Sequence, residues 1–139
     1  MKKTLKTSFI YLIIALVAGV FFREFTKFFE FSDHTTLSVL HTHLFVLGTF
    51  LFLILTLFLK NNDISESKKF KRFFITYNIG ISFFVIMLLT RGIIQVCNIN
   101  ISNGINGMIS GFAGLSHILL TIGLILLYPV LKETITTKE

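Results

Sequence analysis

The chain lacks most of what staples or solvates a small soluble domain. Cys97 is its only cysteine, so no disulfide forms within the chain. No CxxC or CxxCH occurs, which removes support for a thiolate metal clamp and for covalent c-type haem attachment. The single proline, Pro129, falls near the end of the last apolar run, where it need only perturb the final turns of a helix. Charged residues make up 14% of the 139. They are clustered, and no carboxylate falls inside a long apolar run. Connections between those runs are short, and no soluble segment is left over.

What is there instead is apolar surface. Hydrophobic residues reach 53%, with 17 phenylalanines, more than a soluble domain of this size can hide. A span needs roughly 20 mostly apolar residues, and four runs qualify: about 5–22, 38–59, 73–98 and 108–131. The expected fold is therefore all-α, a polytopic membrane four-helix bundle forming one domain, with antiparallel neighbours because the connections are short. The first run also resembles a signal peptide, but no A-x-A cleavage site follows it and Phe21-Phe22-Arg23 is a poor one, so it is expected to remain a span.

Orientation follows from lysine and arginine. Lys2, Lys3 and Lys6 precede the first span, Lys60, Lys68, Lys69, Lys71 and Arg72 lie between the second and third, and Lys132 and Lys138 follow the fourth. Only Arg23 and Lys27 fall on the other side, and Arg91 lies within the third span. Both termini are thus expected in the cytoplasm, with the protein in the cell membrane and lipid as its surroundings. The net charge of +6 is accounted for by this arrangement, and a nucleic-acid partner is not.

Polar residues inside the spans gather in one half of the membrane. The cytoplasmic halves (51–59, 73–86 and 118–127) read as plain apolar helix, whereas the outer halves carry His41 and His43, then Arg91 and Gln95, then His117, with Arg23 and Glu24 closing the first helix. At 1.5 Å per residue, His41 and His43 lie roughly one turn below the outer surface, and His117 and Arg91 on the order of 10 Å down. Ionisable groups at that depth cost several kcal/mol unless partnered, so they are expected to face the interior and meet one another.

His41 and His43 stand about 200° apart around a regular helix, so one ligates while the other bonds in a neighbouring groove. Gly48 lies two turns below His41 and leaves space for a flat aromatic group. Gly107, Gly111 and Gly114 precede His117; this small-xxx-small spacing serves helix packing and equally gives a macrocycle clearance. Arg91 has two readings. It snorkels outward with Gln95 or pairs with Glu24, or it neutralises an anion such as a haem propionate, with Arg23 serving a second propionate at the surface.

A b-type haem needs axial imidazoles from facing helices, flanking aromatics, small residues for clearance and cations near its carboxylates. The outer half offers each, so haem b is the favoured cofactor, with His117 the first ligand, His41 the second and His43 close behind. Such a protein would be an electron carrier with a redox partner, a haem sensor or a haem-handling protein rather than a stand-alone enzyme. Direct binding of copper, zinc or another transition ion by His41 or His43 with His117, and with His34 as a further candidate, is the alternative, since imidazole suits these metals. A non-metal carrier, channel or assembly subunit is a third reading, and with only four helices it implies a homo-oligomer.

Phe22-Arg23-Glu24-Phe25-Thr26-Lys27, then Leu37-Ser38-Val39-Leu40-His41-Thr42-His43-Leu44, then Thr90-Arg91-Gly92 and Gly114-Leu115-Ser116-His117 resemble an uncharacterised family of small four-helix bacterial membrane proteins. That resemblance covers the whole chain and implies four spans without an activity. His41-x-His43 with its following apolar run and Gly48 is also distantly similar to the haem-bearing helices of the haem–copper oxidase superfamily. With four spans and no full ligand set for haem plus copper, that likeness implies a single-haem role and not oxygen reduction.

The topology is checked by cysteine labelling in a Cys97→Ser background. Asn100→Cys is expected to react with a membrane-impermeant maleimide on intact cells and Ser67→Cys only after permeabilisation; the reverse pattern overturns the orientation.

Overall fold

The computed structural model describes residues 1–60, 64 and 66–136; Lys138, one of the basic residues behind the expected topology, lies outside the described residues. Four helices hold most of them: α1 (Lys2–Phe28), α2 (Leu37–Phe58), α3 (Lys68–Val96) and α4 (Asn103–Thr136). Each is long and apolar enough to cross a membrane, so the chain is an all-α, multi-pass membrane protein. Its outward surface fits lipid, with side chains such as Val17, Val20, Leu57 and Ile125 largely uncovered. The helices outrun the apolar runs. α1 continues to Phe28, α3 begins in the basic stretch at Lys68, and α4 passes through Pro129 to Thr136.

Local chemistry sets the ends. Ser67 caps α3, its hydroxyl accepting the Phe70 amide at 3.1 Å, one of the four amides a helix start leaves unpaired. α1 and α3 end in the same way. Glu30 and Asn98 both adopt a φ of 50°, the left-handed conformation that non-glycine residues rarely take. Phe31 N then bonds Thr26 O and Glu30 N bonds Lys27 O, while Ile99 N bonds Ile94 O and Asn98 N bonds Gln95 O. This is the Schellman closure that satisfies the last carbonyls. At the start of α2, the Thr35 hydroxyl accepts the Leu37 amide and the Gln95 side chain accepts the Thr36 amide at 2.9 Å.

In lipid, helices associate through close packing and hydrogen bonds, because water no longer drives apolar faces together. α1 lies along α2 through Thr56 Oγ1 donating to Thr4 Oγ1, Ser8 Oγ to Thr49 O, and Tyr11 packed on Gly48. α3 and α4 approach backbone to backbone. A Cβ on Gly123 would stand 2.9 Å from Tyr77 Cα, and one on Gly80 would stand 3.0 Å from Leu120 Cα. α2 meets α3 where Gly92 receives Leu37 and where the Tyr77 hydroxyl donates to Leu47 O at 2.8 Å. Phe52, Phe70, Phe73 and Tyr77 are fully buried, and the Phe52 ring is met by Tyr11, Phe73, Phe74 and Tyr77 at 5.6–6.3 Å between centroids. This aromatic cluster is where several of the many phenylalanines go.

The half of the chain that reads as plain apolar helix therefore also holds buried hydroxyls. Just before that half, α2 departs from regular geometry, being π-helical from Leu44 to Phe50.

An alanine gains about 1 kcal/mol over glycine in a helix interior, but overpacking costs roughly 1–3 kcal/mol. Gly123→Ala should therefore lower the thermal unfolding midpoint in detergent. Gly114→Ala, where a Cβ meets nothing within 4 Å, should leave it unchanged or raise it.

Candidate cofactor site

Two of the residues singled out above, His43 and His117, converge where α2, α3 and α4 meet, near the middle of α3 and α4, and Arg91 shares a cleft with His117. The meeting point of the two histidines is Phe84 on α3, a buried side chain. The His117 imidazole stands edge-on to it, at 4.7 Å between centroids and 86° between planes. The His43 imidazole tilts against the same ring at 5.2 Å and 53°. Phe84 and Arg91 are two turns apart on α3, as Ser110 and His117 are on α4, so each pair shares a helix face. Arg91 and His117 both line a cleft of about 130 Å³ whose floor includes Phe84, Leu88 and Thr36.

Each of these two histidines has one nitrogen committed. His43 Nδ1 is 2.7 Å from Val39 O, and His117 Nδ1 is 2.8 Å from Ala113 O, each one turn back along its own helix. A carbonyl oxygen only accepts, so both contacts place the proton on Nδ1 and leave the lone pair on Nε2. A metal-ligating imidazole takes this arrangement, with the far nitrogen anchored to a carbonyl or carboxylate and the near one free for the metal.

Arg91 donates from its two terminal nitrogens to Asn106 Oδ1 at 2.8 Å and Ser110 Oγ at 2.7 Å. Both acceptors are neutral. Among the described residues the guanidinium meets no carboxylate, so its charge is oriented but not neutralised. Its pairing is with α4 and not with Glu24.

The other candidates lie elsewhere. His41 turns to α1, where a Cβ on Gly19 would be 3.7 Å from its Cγ, and its Nδ1 is buried with no hydrogen-bond partner among the described residues. The two imidazoles of the H-T-H element thus face different helices. The space that Gly48 opens is filled by Tyr11, since a Cβ there would come within 2.5 Å of the Tyr11 ring. Gln95 holds the start of α2 through Thr36. Arg23 is exposed and lies 3.7 Å from Glu24, away from the cleft lining. Gly114 borders His117 with open space around it.

Among the described residues, no group of three or more His, Cys, Asp or Glu stands close enough to hold a metal ion. Sequence reasoning missed Phe84, Asn106 and Ser110. The seven-residue spacing of Phe84 from Arg91 and of Ser110 from His117 was the available signal. Gln95→Leu leaves the Thr36 amide unpaired, and such a loss costs about 1–3 kcal/mol. The variant is expected to unfold at lower temperature, and an unchanged midpoint would refute the capping role.

Nothing among curated proteins and nothing among solved structures matches the chain. A family profile does match, over residues 1–134, and that extent places the protein in the family described as "Protein of unknown function (DUF2871)".

Proposed function

We propose that this protein binds haem b on the α2–α3–α4 face, with Nε2 of His117 and of His43 as axial donors and Arg91 facing a propionate. One observation carries the reading: two imidazoles from two helices meet one buried phenylalanine, each with Nδ1 bonded to a carbonyl and Nε2 without a partner among the described residues. The absence of any three-residue His, Cys, Asp or Glu cluster among the described residues favours haem over a bare copper or zinc ion. A porphyrin supplies four nitrogens itself and asks the protein for one or two axial groups, whereas structural zinc takes four protein ligands and catalytic zinc three.

The enclosed cleft, about 130 Å³, falls below the roughly 300–1,000 Å³ of small-molecule pockets. A macrocycle would therefore lie partly on the open face beside Gly114 and meet lipid or a second copy there. Contacts that pair Thr4 with Thr56, Ser8 with Thr49 and Gly19 with His41 support antiparallel neighbours. With both termini cytoplasmic, the site sits in the outer half of the membrane. The role that follows is electron transfer, haem sensing or haem handling.

An absorption spectrum of the purified protein in detergent tests the reading. A Soret band with sharp reduced α and β bands is expected, lost in His117→Ala, weakened in His43→Ala and retained in His41→Ala. Arg91→Leu removes one charge-assisted bond worth about 1.5 kcal/mol, so haem retention should fall roughly tenfold while Lys69→Leu changes little. Equal retention in those two variants counts against the propionate contact. A colourless protein carrying stoichiometric copper or zinc, or one carrying neither, overturns the haem assignment.

A further inference from the structure

We infer that Ser8 and Tyr77 are positioning residues: their hydroxyls hold α2 in its π-helical register over Leu44–Phe50, and that register sets the bearing of His43 towards Phe84 and His117. The inference deepens the haem reading and rests on it for its functional meaning; its structural content stands apart.

A π-helical turn is rare in a continuous helix, and where one occurs it is commonly tied to a functional position. Here it begins at Leu44, the residue after His43. Two of its carbonyls accept bonds from outside the helix. Ser8 on α1 donates to Thr49 O at 2.8 Å, and Tyr77 on α3 donates to Leu47 O at 2.8 Å. Lateral donors of this kind draw carbonyls off the helix axis and open the i to i−4 ladder. Between those carbonyls Gly48 has no side chain, and the Tyr11 ring enters the gap. The Tyr11 hydroxyl then donates to Asn78 Oδ1 at 2.8 Å, which ties α1 to α3 beside the widened turn. Ser8 and Tyr77 are both buried, so neither hydroxyl has water as an alternative partner. The π segment is thus gripped from both sides by buried hydroxyls.

Rewinding it to α-helical register would turn everything N-terminal of it about the axis by on the order of one residue, about 100°. His43 and its Val39 carbonyl both lie in the α-helical part, Leu37–His43, and would swing as a unit. The Nδ1 bond would survive while the imidazole left Phe84. His117, held on α4 by Ala113, would not move.

The test uses the full-length protein in micelles with ¹³C-labelled histidine and no haem. Phe84→Leu sets the scale, since it removes the ring current felt by both His43 and His117. In Ser8→Ala/Tyr77→Phe the His43 ring signals should move most of the way to their Phe84→Leu positions, with those of His117 unchanged. Ser8→Thr, which keeps the hydroxyl, should retain the wild-type His43 signals. An unmoved His43, or equal movement of both histidines, overturns the inference. If the double variant loses its helical circular dichroism, Ser8→Ala and Tyr77→Phe alone decide by the same criterion. Haem titration is the second readout: wild type should give a six-coordinate low-spin spectrum and the double variant a five-coordinate one. Wild-type protein that takes up no haem refutes the proposed function while leaving the histidine signals to judge the positioning role.

Discussion

Close approach of helix backbones is the constraint from which the rest of this structure follows. Lipid offers apolar faces no reason to leave it, so helices must gain from dense packing and from hydrogen bonds that lipid cannot supply. Tyr77 shows both at once. Its backbone lies against Gly123 of α4, its ring packs into the Phe52 and Phe73 cluster, and its hydroxyl donates to Leu47 O of α2. One fully buried residue thereby joins three helices. Gly92 and Gly48 play the corresponding part elsewhere, each admitting a large neighbour, Leu37 in one case and Tyr11 in the other.

The same economy governs the polar groups. A buried hydroxyl or amide left unpaired is costly, and here the donors of one helix find the carbonyls of the next: Ser8 with Thr49, Thr35 with Gly92, Thr36 with Leu88. Against that background the Nε2 atoms of His43 and His117 and the charge of Arg91, none of them partnered by an acid or a hydrogen bond donor among the described residues, stand out. They are chemically capable groups that the fold orients and leaves available. Arg91 and His117 line one cleft, and Gly107, Gly111 and Gly114 of α4 have open space around them.

A regular helix would place His43 by its sequence number alone. This one places it through a π-helical turn bonded by two neighbouring helices, so its bearing is tied to residues of α1 and α3. Coupling of that kind puts the bearing of the His43 imidazole under the control of the packing core.

Residue order alone dictates the number of helices, their approximate spans and the gathering of histidine and arginine in one half, because burial in lipid demands long uncharged runs and penalises every ionisable group within them. The helical period also separates His41 from His43, since two residues fix about 200°. Which of the two reaches Phe84, as His117 does, is a matter of helix rotation, and rotation is set by contacts between segments distant in the chain. For the same reason Gly48 reads as clearance for a ligand when Tyr11 takes the space, and Gln95 reads as part of a site when it holds the start of α2. The π-helical turn left no local mark, because Ser8, Tyr11 and Tyr77, which surround it, come from two other helices and act only once those helices have packed.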